Sequence, residues 1–396
     1  MQPRAWIEID HEALVHNAGV FRRAIAPGTR LAILVKANGY GHGILISARA
    51  AIEGGADRLM VVSLDEALTL RGAGFDAPIL IVYPIHPADI DDAVRASLEL
   101  SVAGVESTRR FLEAWAGSRT KAGGATVRVH VEVDSGMGRG GVRPADVAGV
   151  VAAVDAAPGT ELVGIWSHLA DGSDPVRSAD QIQAYEAALA AVASTGRALP
   201  LRHIGATEGV FCGTGPTYDM VRIGLGFYGE LGVDVTPTPE LVSLAGELRP
   251  AMTVLARPAR VEWMPAGSPV GYGGEWTAQR RSLIATLPIG YADGWTRAYS
   301  PGASALVRGR RVPLVGRVSM DSVSADVTDV VGGPDASDVS LEERFVLLGG
   351  HGDERITPVE LARMRGSIPN EVFCAFGPRL PRLVVGVDER GGNGPG

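Results

Sequence analysis

Leu31-Ala32-Ile33-Leu34-Val35-Lys36-Ala37-Asn38-Gly39-Tyr40-Gly41-His42-Gly43 is an apolar run that ends on a lysine and then breaks into glycines. Five apolar residues closed by a turn signal read as a strand buried on both faces, the kind a parallel sheet requires. Similar runs follow at Arg58 to Val62, Pro78 to Val82, Leu100 to Ala103, Val127 to Val133, Leu162 to Trp166, Leu201 to Ile204 and Met220 to Ile223. Between them lie helical stretches such as Gln181 to Ser194, where Ile182, Tyr185, Leu189 and Val192 recur at spacings of three and four. That is the period of one buried helix face. Eight strands alternating with helices predict an α/β fold, and the count matches a closed (β/α)8 TIM-type barrel better than an open sheet.

The texture changes after Gly229. Pro237, Pro239 and Pro250 intervene, and strands then follow without long helices: Val254 to Ala256, Leu283 to Leu287, Ala305 to Val307, Val312 to Val315 and Phe345 to Leu348. This predicts a second, mostly β domain with one short helix at Pro358 to Arg365. The expected division is a barrel over residues 10–232 and a C-terminal β domain over 233–388 that takes in the strand-like residues 1–9. The glycine-rich tail 389–396 is expected to be disordered.

A chain of 396 residues exceeds the size at which one core usually stops growing, in keeping with two units. Apolar residues make up 46% and charged residues 21%, an ordinary globular balance. With 37 basic against 45 acidic residues and no dense Lys/Arg stripe, nucleic acid is excluded as an expected partner. No signal-peptide pattern opens the sequence and no apolar segment reaches spanning length, so a cytoplasmic protein without membrane contact is expected. Cys212 and Cys374 are the two cysteines and form no CxxC spacing; free, buried thiols are expected, with no disulfide and no bound metal.

In a barrel of this kind function collects at the carboxyl ends of the strands. At the first stands Lys36. Desolvation there favours the neutral amine, which attacks an aldehyde to form a Schiff base. Other strand ends carry Asp134 to Arg139, Ser167-His168, His203 to Thr207 and Arg222 to Gly226. Each has a plainer reading: Lys36 could snorkel to solvent, His168 could be a satisfied core histidine, and Arg139 could close a surface turn. Five strand ends carrying such groups together favour a site. Gly224-Leu225-Gly226-Phe227-Tyr228-Gly229 fits the dinucleotide pattern GxGxxG, but no helical period follows it. After the eighth strand it reads instead as backbone closing on a single phosphate. Walker A, HExxH and GxSxG patterns are absent from the sequence.

Together these motifs resemble the alanine racemase family of fold-type III pyridoxal phosphate enzymes. The likeness is carried by Val35 to Gly43, Asp134 to Arg139, Ser167-His168, Arg222-Ile223-Gly224, Val270-Gly271-Tyr272-Gly273, Pro288 to Gly294 and Val315 to Asp321. It implies that Lys36 binds pyridoxal 5'-phosphate covalently and is one catalytic base, with Tyr272 as the other. Tyr40, Thr207, Gly224 and Leu225 would hold the phosphate, Arg222 would face the pyridine nitrogen, and Arg139 the phenolic oxygen. Met320, through its amide, and Tyr291 would meet the substrate. His168 would bond Tyr272 and, on its other side, Arg222. The resemblance also implies a head-to-tail homodimer in which Tyr272 and Met320 come from the partner subunit.

The sequence departs from the family pattern in a few places. Gly39 stands where alanine is usual. Pro378 occupies the position of a tyrosine that bonds the phosphate and narrows the substrate entrance, which predicts a site open to side chains larger than methyl. The alternative is a shift by one residue that brings Phe376 or Arg379 into that space. Glu132 replaces a lysine that is often carbamylated, and is expected to orient Arg139 through a charge-assisted hydrogen bond. Ala206 replaces a common asparagine, which loosens cofactor or substrate contacts. Rival readings are a fold-type III amino-acid decarboxylase, a non-catalytic cofactor carrier, and a racemase of a pathway-specific amino acid. A decarboxylase would pair the pyridine nitrogen with a carboxylate, against Arg222; a carrier made of the barrel alone would lack Tyr272 and Met320.

Overall fold

A computed structural model describes residues 3–118, 124–233, 235–331 and 339–386; the tail 389–396, expected to be disordered, lies outside them. The chain forms two compact units: Ala13–Gly39 with Ile44–Arg249, and the remainder, which includes the N-terminal residues up to Glu12 and the short segment Tyr40–Gly43.

Strand β1 (Ala5–Asp10) belongs to the second unit. The first unit holds β2 (Arg30–Leu34), β3 (Arg58–Val61), β4 (Ile79–Ile81), β5 (Glu99–Val102), β6 (Val127–Glu132), β7 (Thr160–Trp166), β8 (Leu201–His203) and β9 (Met220–Ile223). They lie parallel in the order β8-β7-β6-β5-β4-β3-β2-β9. A parallel bridge between Ala206 and Arg222, with the Arg222 amide donating to the Gly205 carbonyl at 2.9 Å, joins the two ends of the sheet. The expected eight-stranded α/β barrel is therefore present. Ala32, Met60, Leu80 and Met220 pack together inside one sector of it. Between β6 and β7 the register shifts by one residue after Val129, which sets His130 opposite Gly164.

Helices separate the strands, and their starts are chemically marked. The helix Pro175–Ala193 begins where the Asp174 carboxylate accepts from the amides of Val176 and Arg177, with Pro175 at the first helical position. Its buried face runs through Ser178, Gln181, Tyr185, Ala188, Leu189 and Val192. Gln181 thus takes the fully buried place that spacing assigns to Ile182, which is only half-buried.

In the second unit a ten-stranded sheet is built on β1, which pairs antiparallel with β10 (Met252–Ala256) and parallel with a C-terminal strand, Arg382–Val385. The five β runs read from sequence all form strands here, and the expected helix is present at Pro358–Met364. Arg260–Met264 and Val323–Asp326 are further strands that the apolar runs did not mark. The first is an edge strand, with Arg260 and Glu262 paired on its exposed side. The cysteines differ from expectation: Cys212 is half-buried and Cys374 exposed. Cys374 follows Val372 and Phe373 on the helix Pro369–Ala375, and that pair takes the buried face.

Candidate active site

Lys36 leaves the end of β2 into an unusual turn. Ala37, Asn38, Gly39 and Tyr40 all have left-handed backbone, with φ of 51°, 53°, 62° and 49°. For residues other than glycine this costs roughly 1–3 kcal/mol each and persists only where the surroundings over-determine it. Here they do. Glu66, in the next βα unit, accepts from the Ala37 amide at 2.7 Å and the Val62 amide at 2.9 Å. Asn38 Oδ1 accepts from the Ile44 amide at 2.9 Å, and the Gly39 amide donates to Val35 at 2.8 Å. A methyl group on Gly39 would stand 2.3 Å from Ser47 Oγ, so this chain cannot carry alanine there without moving Ser47.

Arg222 sits on β9 with its guanidinium buried. Nη2 donates to the carbonyl of Ser167 at 2.7 Å, to His168 Nδ1 at 3.0 Å and to the carbonyl of Ile204 at 3.2 Å, while Nη1 donates to His203 Nδ1 at 3.0 Å. Burial pushes its pKa down to about 10, so it stays charged at neutral pH. His168, on the loop after β7, is pushed down to about 3 by burial and then by the charges of Arg222, Arg139 and Lys36. Its imidazole is neutral.

The turn that carries Arg139 is held by Asp134 Oδ1, which accepts from the amides of Gly136 and Gly138 at 3.1 and 3.0 Å. Glu132 Oε1 lies 4.0 Å from Arg139 Nη2. This is an ion pair at its outer limit and corrects the expected hydrogen bond, since 4.0 Å is too long for one. Burial raises the Glu132 pKa, while Arg139 and Arg222 act to lower it.

Thr207 opens the helix Thr207–Phe211, and its hydroxyl accepts from the Gly226 amide at 3.3 Å. A Cβ on Gly226 would meet Phe21 Cζ at 2.3 Å and Thr207 Cγ2 at 2.8 Å. Only glycine lets this loop close down, as a backbone cradle for a phosphate needs. Gly224, Leu225 and the Thr207 hydroxyl thus form one small turn at the ends of β8 and β9. The first unit therefore brings together Lys36, Arg139, His168, Thr207, Arg222, Gly224 and Leu225 at strand ends.

The other candidate residues fall in the second unit. Tyr40 is buried, which raises its hydroxyl pKa, with Cys374 adding to the shift. Tyr272, Tyr291 and Met320 are 71%, 44% and 52% exposed, unusual for such side chains. Their loops are tied together. The Tyr291 and Ala292 amides donate to the carbonyls of Ser319 and Met320 at 3.1 and 3.0 Å. The Val270-Gly271 turn packs so closely on Gly316-Arg317 that a Cβ on Gly316 would reach the Val270 carbonyl at 2.5 Å. Pro378 is exposed. Of the two side chains that could take that space instead, Phe376 is buried, and Arg379 is held by Asp293 at 3.1 Å and Asp321 at 2.9 Å.

Residues 9–232 match the family model for the alanine racemase N-terminal domain, and residues 251–384 that for the alanine racemase C-terminal domain. The chain belongs to the alanine racemase family. It is 37% identical over 394 residues to the alanine racemase of Symbiobacterium thermophilum, covering 98% of each chain. The crystal structure of alanine racemase from the D-cycloserine-producing Streptomyces lavendulae is 33% identical, with a TM-score of 0.85 over 98% of this chain and 99% of that one. That of Bacillus anthracis alanine racemase with bound L-Ala-P is 31% identical, with a TM-score of 0.86 over 97% and 96%. This alanine racemase relative is thus an isomerase acting on amino-acid configuration.

Two residues that support this strand-end cluster carry no motif in the sequence. Glu66 clamps the Lys36 turn as described. Gln181 accepts from the Ala170 amide at 2.8 Å and donates to the His168 carbonyl at 3.1 Å, fixing the loop that bears His168. A polar residue on the apolar stripe of a helix was the available signal, since such a group is buried only when bonded.

Proposed function

We propose that the protein interconverts L- and D-alanine with pyridoxal 5'-phosphate held on Lys36, and with Lys36 and Tyr272 as the two groups that move the α-proton. What supports this most directly is the cluster at the barrel's strand ends: a lysine placed beside a neutral histidine and a buried, permanently charged arginine. Thr207, the turn at Gly224-Leu225 and Tyr40 would bind the phosphate, and the closeness forced by Gly226 fits that group. When bound, pyridoxal phosphate draws electrons from the substrate's α-carbon and makes its proton acidic.

The residues of this chain then divide the work. Arg222, charged and unable to accept a proton, would leave the pyridine nitrogen unprotonated and so limit electron withdrawal. That favours return of a proton to the α-carbon over loss of the amino group. Arg139, backed by Glu132, would meet the phenolic oxygen. Met320, through its amide, and Tyr291 would orient the substrate. Tyr272 needs a lowered pKa to act as a base at neutral pH, since an unperturbed phenol titrates near ~10; the Nε2–H of His168 is suited to supply it by donating to the phenolate oxygen.

Exposed Tyr272, Tyr291 and Met320 on one loop cluster favour a homodimer in which Tyr272 and Met320 complete the partner's site. The cysteines form no disulfide, in keeping with the reducing cytoplasm as the place of action. No helix among the described residues is long and apolar enough to cross a membrane. The test is exchange of the α-proton: L-alanine incubated with the protein in D2O should yield both enantiomers deuterated at Cα. Absence of deuterium at Cα would refute the reading.

A further inference from the structure

Arg58, Glu99, His130 and His203 are buried inside the barrel and take no part in the proton transfers above. They form a single line of contacts. Arg58 Nη2 donates to Glu99 Oε1 at 2.9 Å, Glu99 Oε2 lies 3.1 Å from His130 Nε2, and His130 Nδ1 lies 3.2 Å from His203 Nε2. His203 Nδ1 then meets Arg222 Nη1 at 3.0 Å. The backbone makes room for this line. After the register shift, Gly164 faces His130, and a Cβ on Gly164 would stand 2.4 Å from His130 Nδ1. Bulges beside functional sites re-aim side chains in this way.

The direction of every bond follows from one end. A guanidinium only donates, so His203 Nδ1 must accept and the His203 ring proton sits on Nε2. Nε2–H then donates to His130 Nδ1, which leaves the His130 proton on Nε2, donating to Glu99. The carboxylate ends the line as an acceptor from His130 and Arg58. Burial holds both histidines below their ordinary pKa, and at Glu99 the effect of burial is outweighed by the His130 hydrogen bond and nearby arginines. Neutral rings and an ionised carboxylate are the states that this order of bonds requires.

We propose that Glu99, His130 and His203 are positioning residues for Arg222, forming a one-way hydrogen-bond line that presents a bare Nδ1 to its guanidinium. The role rests on the reading that Arg222 acts at the cofactor ring. Reversing the line would set an N–H of His203 against an N–H of Arg222 and turn the guanidinium away. Glu99→Gln does this with little change of shape: the amide oxygen can still accept from Arg58, and the amide N–H2 then faces His130 Nε2 and forces it to accept. Gly164→Ala breaks the line without touching a charge.

The test uses 15N-histidine-labelled holoenzyme, with His130 and His203 assigned from their single His→Gln variants. In the unmodified protein both rings should carry the proton on Nε2. In Glu99→Gln the His203 proton should move to Nδ1. That variant should lose about 10- to 100-fold in kcat, the worth of a hydrogen bond to a charged group, with KM changed much less. Pyruvate released per racemisation, as the amino group is left on the cofactor, should rise. Gly164→Ala should show the same kinetic pattern. Nδ1–H at His203 in the unmodified protein would overturn the proposal even if the variants fail to fold. So would reversal of His203 with kcat and pyruvate yield unchanged, and that result would leave the racemase reading standing. Failure of α-proton exchange in the unmodified protein would remove both.

Discussion

His168 Nδ1 accepts from Arg222 Nη2 at 3.0 Å, so the proton of this neutral ring lies on Nε2. The arginine thereby decides what the histidine can do: it presents a donor to any oxygen on its far side, which is what the role proposed for Tyr272 requires. Gln181 holds the same loop through the His168 carbonyl, which keeps the ring at the arginine. The pair also has a cost in acid that can be measured.

His168 titrates at 6.5 without its surroundings and at about 3 in the fold. Its folded pKa is depressed, so below pH 6.5 the unfolded chain takes up a proton that the native protein refuses. Stability is therefore full above about pH 6.5 and falls as the pH drops toward the folded value, by about 1.4 kcal/mol per pH unit for this one group. Urea titrations at pH 7.5 and pH 5 should show the loss. In His168→Asn the difference between the two pH values should shrink by about 2 kcal/mol. An equal pH dependence in both proteins would contradict the neutral imidazole.

The proposed pairing of Lys36 with a Tyr272 from the partner subunit predicts complementation. Lys36→Ala should lose the visible absorption of bound cofactor, and Tyr272→Phe should keep it; each should lose about 10²- to 10⁴-fold in racemisation, the range for a general base. If Tyr272 serves the partner's Lys36, a dimer of one subunit of each kind has one site lacking both groups and one intact. Random mixing of the two inactive proteins should then restore roughly a quarter of full activity. No recovery after verified subunit exchange would place both groups in the same subunit.

Much of this site was legible because barrel physics is written in apolar runs. The lysine after Leu31 to Val35 announces itself by interrupting one. Val127 to Glu132 also held a signal: valine alternates with Arg128, His130 and Glu132, and a strand covered by helices on its valine side must turn its polar side into the barrel. What the run cannot show is which neighbours those side chains meet, because Glu99 and His203 lie on other strands and the register shift at Gly164 is not encoded in hydropathy. Glu66 was hidden for a similar reason. An acidic residue in the first turn of a helix, after the capping residue Ser63, is explained by the helix dipole alone, and its reach to the Lys36 turn is a tertiary fact.

Glu66 carries a prediction of its own. One carboxylate accepts from two amides, at 2.7 and 2.9 Å, next to a left-handed run that includes Ala37 and Asn38. Glu66→Ala leaves both amides short of an acceptor and the strained turn without its clamp, which should cost about 1–3 kcal/mol of stability. Because the turn begins at Lys36, cofactor retention during dialysis should fall as well. Unchanged retention would confine Glu66 to a structural role.

The proposed place of Pro378 at the substrate entrance carries a prediction about specificity. A proline offers no hydroxyl and less bulk than the tyrosine usual in the family, while Phe376 is buried and Arg379 is engaged by Asp293 and Asp321. The protein should therefore racemise serine and larger amino acids at a kcat/KM closer to that of alanine than a tyrosine would allow. Restoring the ring in Pro378→Tyr should raise the preference for alanine over the larger substrates by about 10-fold or more, the scale on which a pocket discriminates by size. The ratio of kcat/KM values across alanine, serine, lysine and arginine measures it. A strict alanine preference already present in the unmodified protein, or a ratio that Pro378→Tyr leaves unchanged, would show that the entrance is narrowed by other residues.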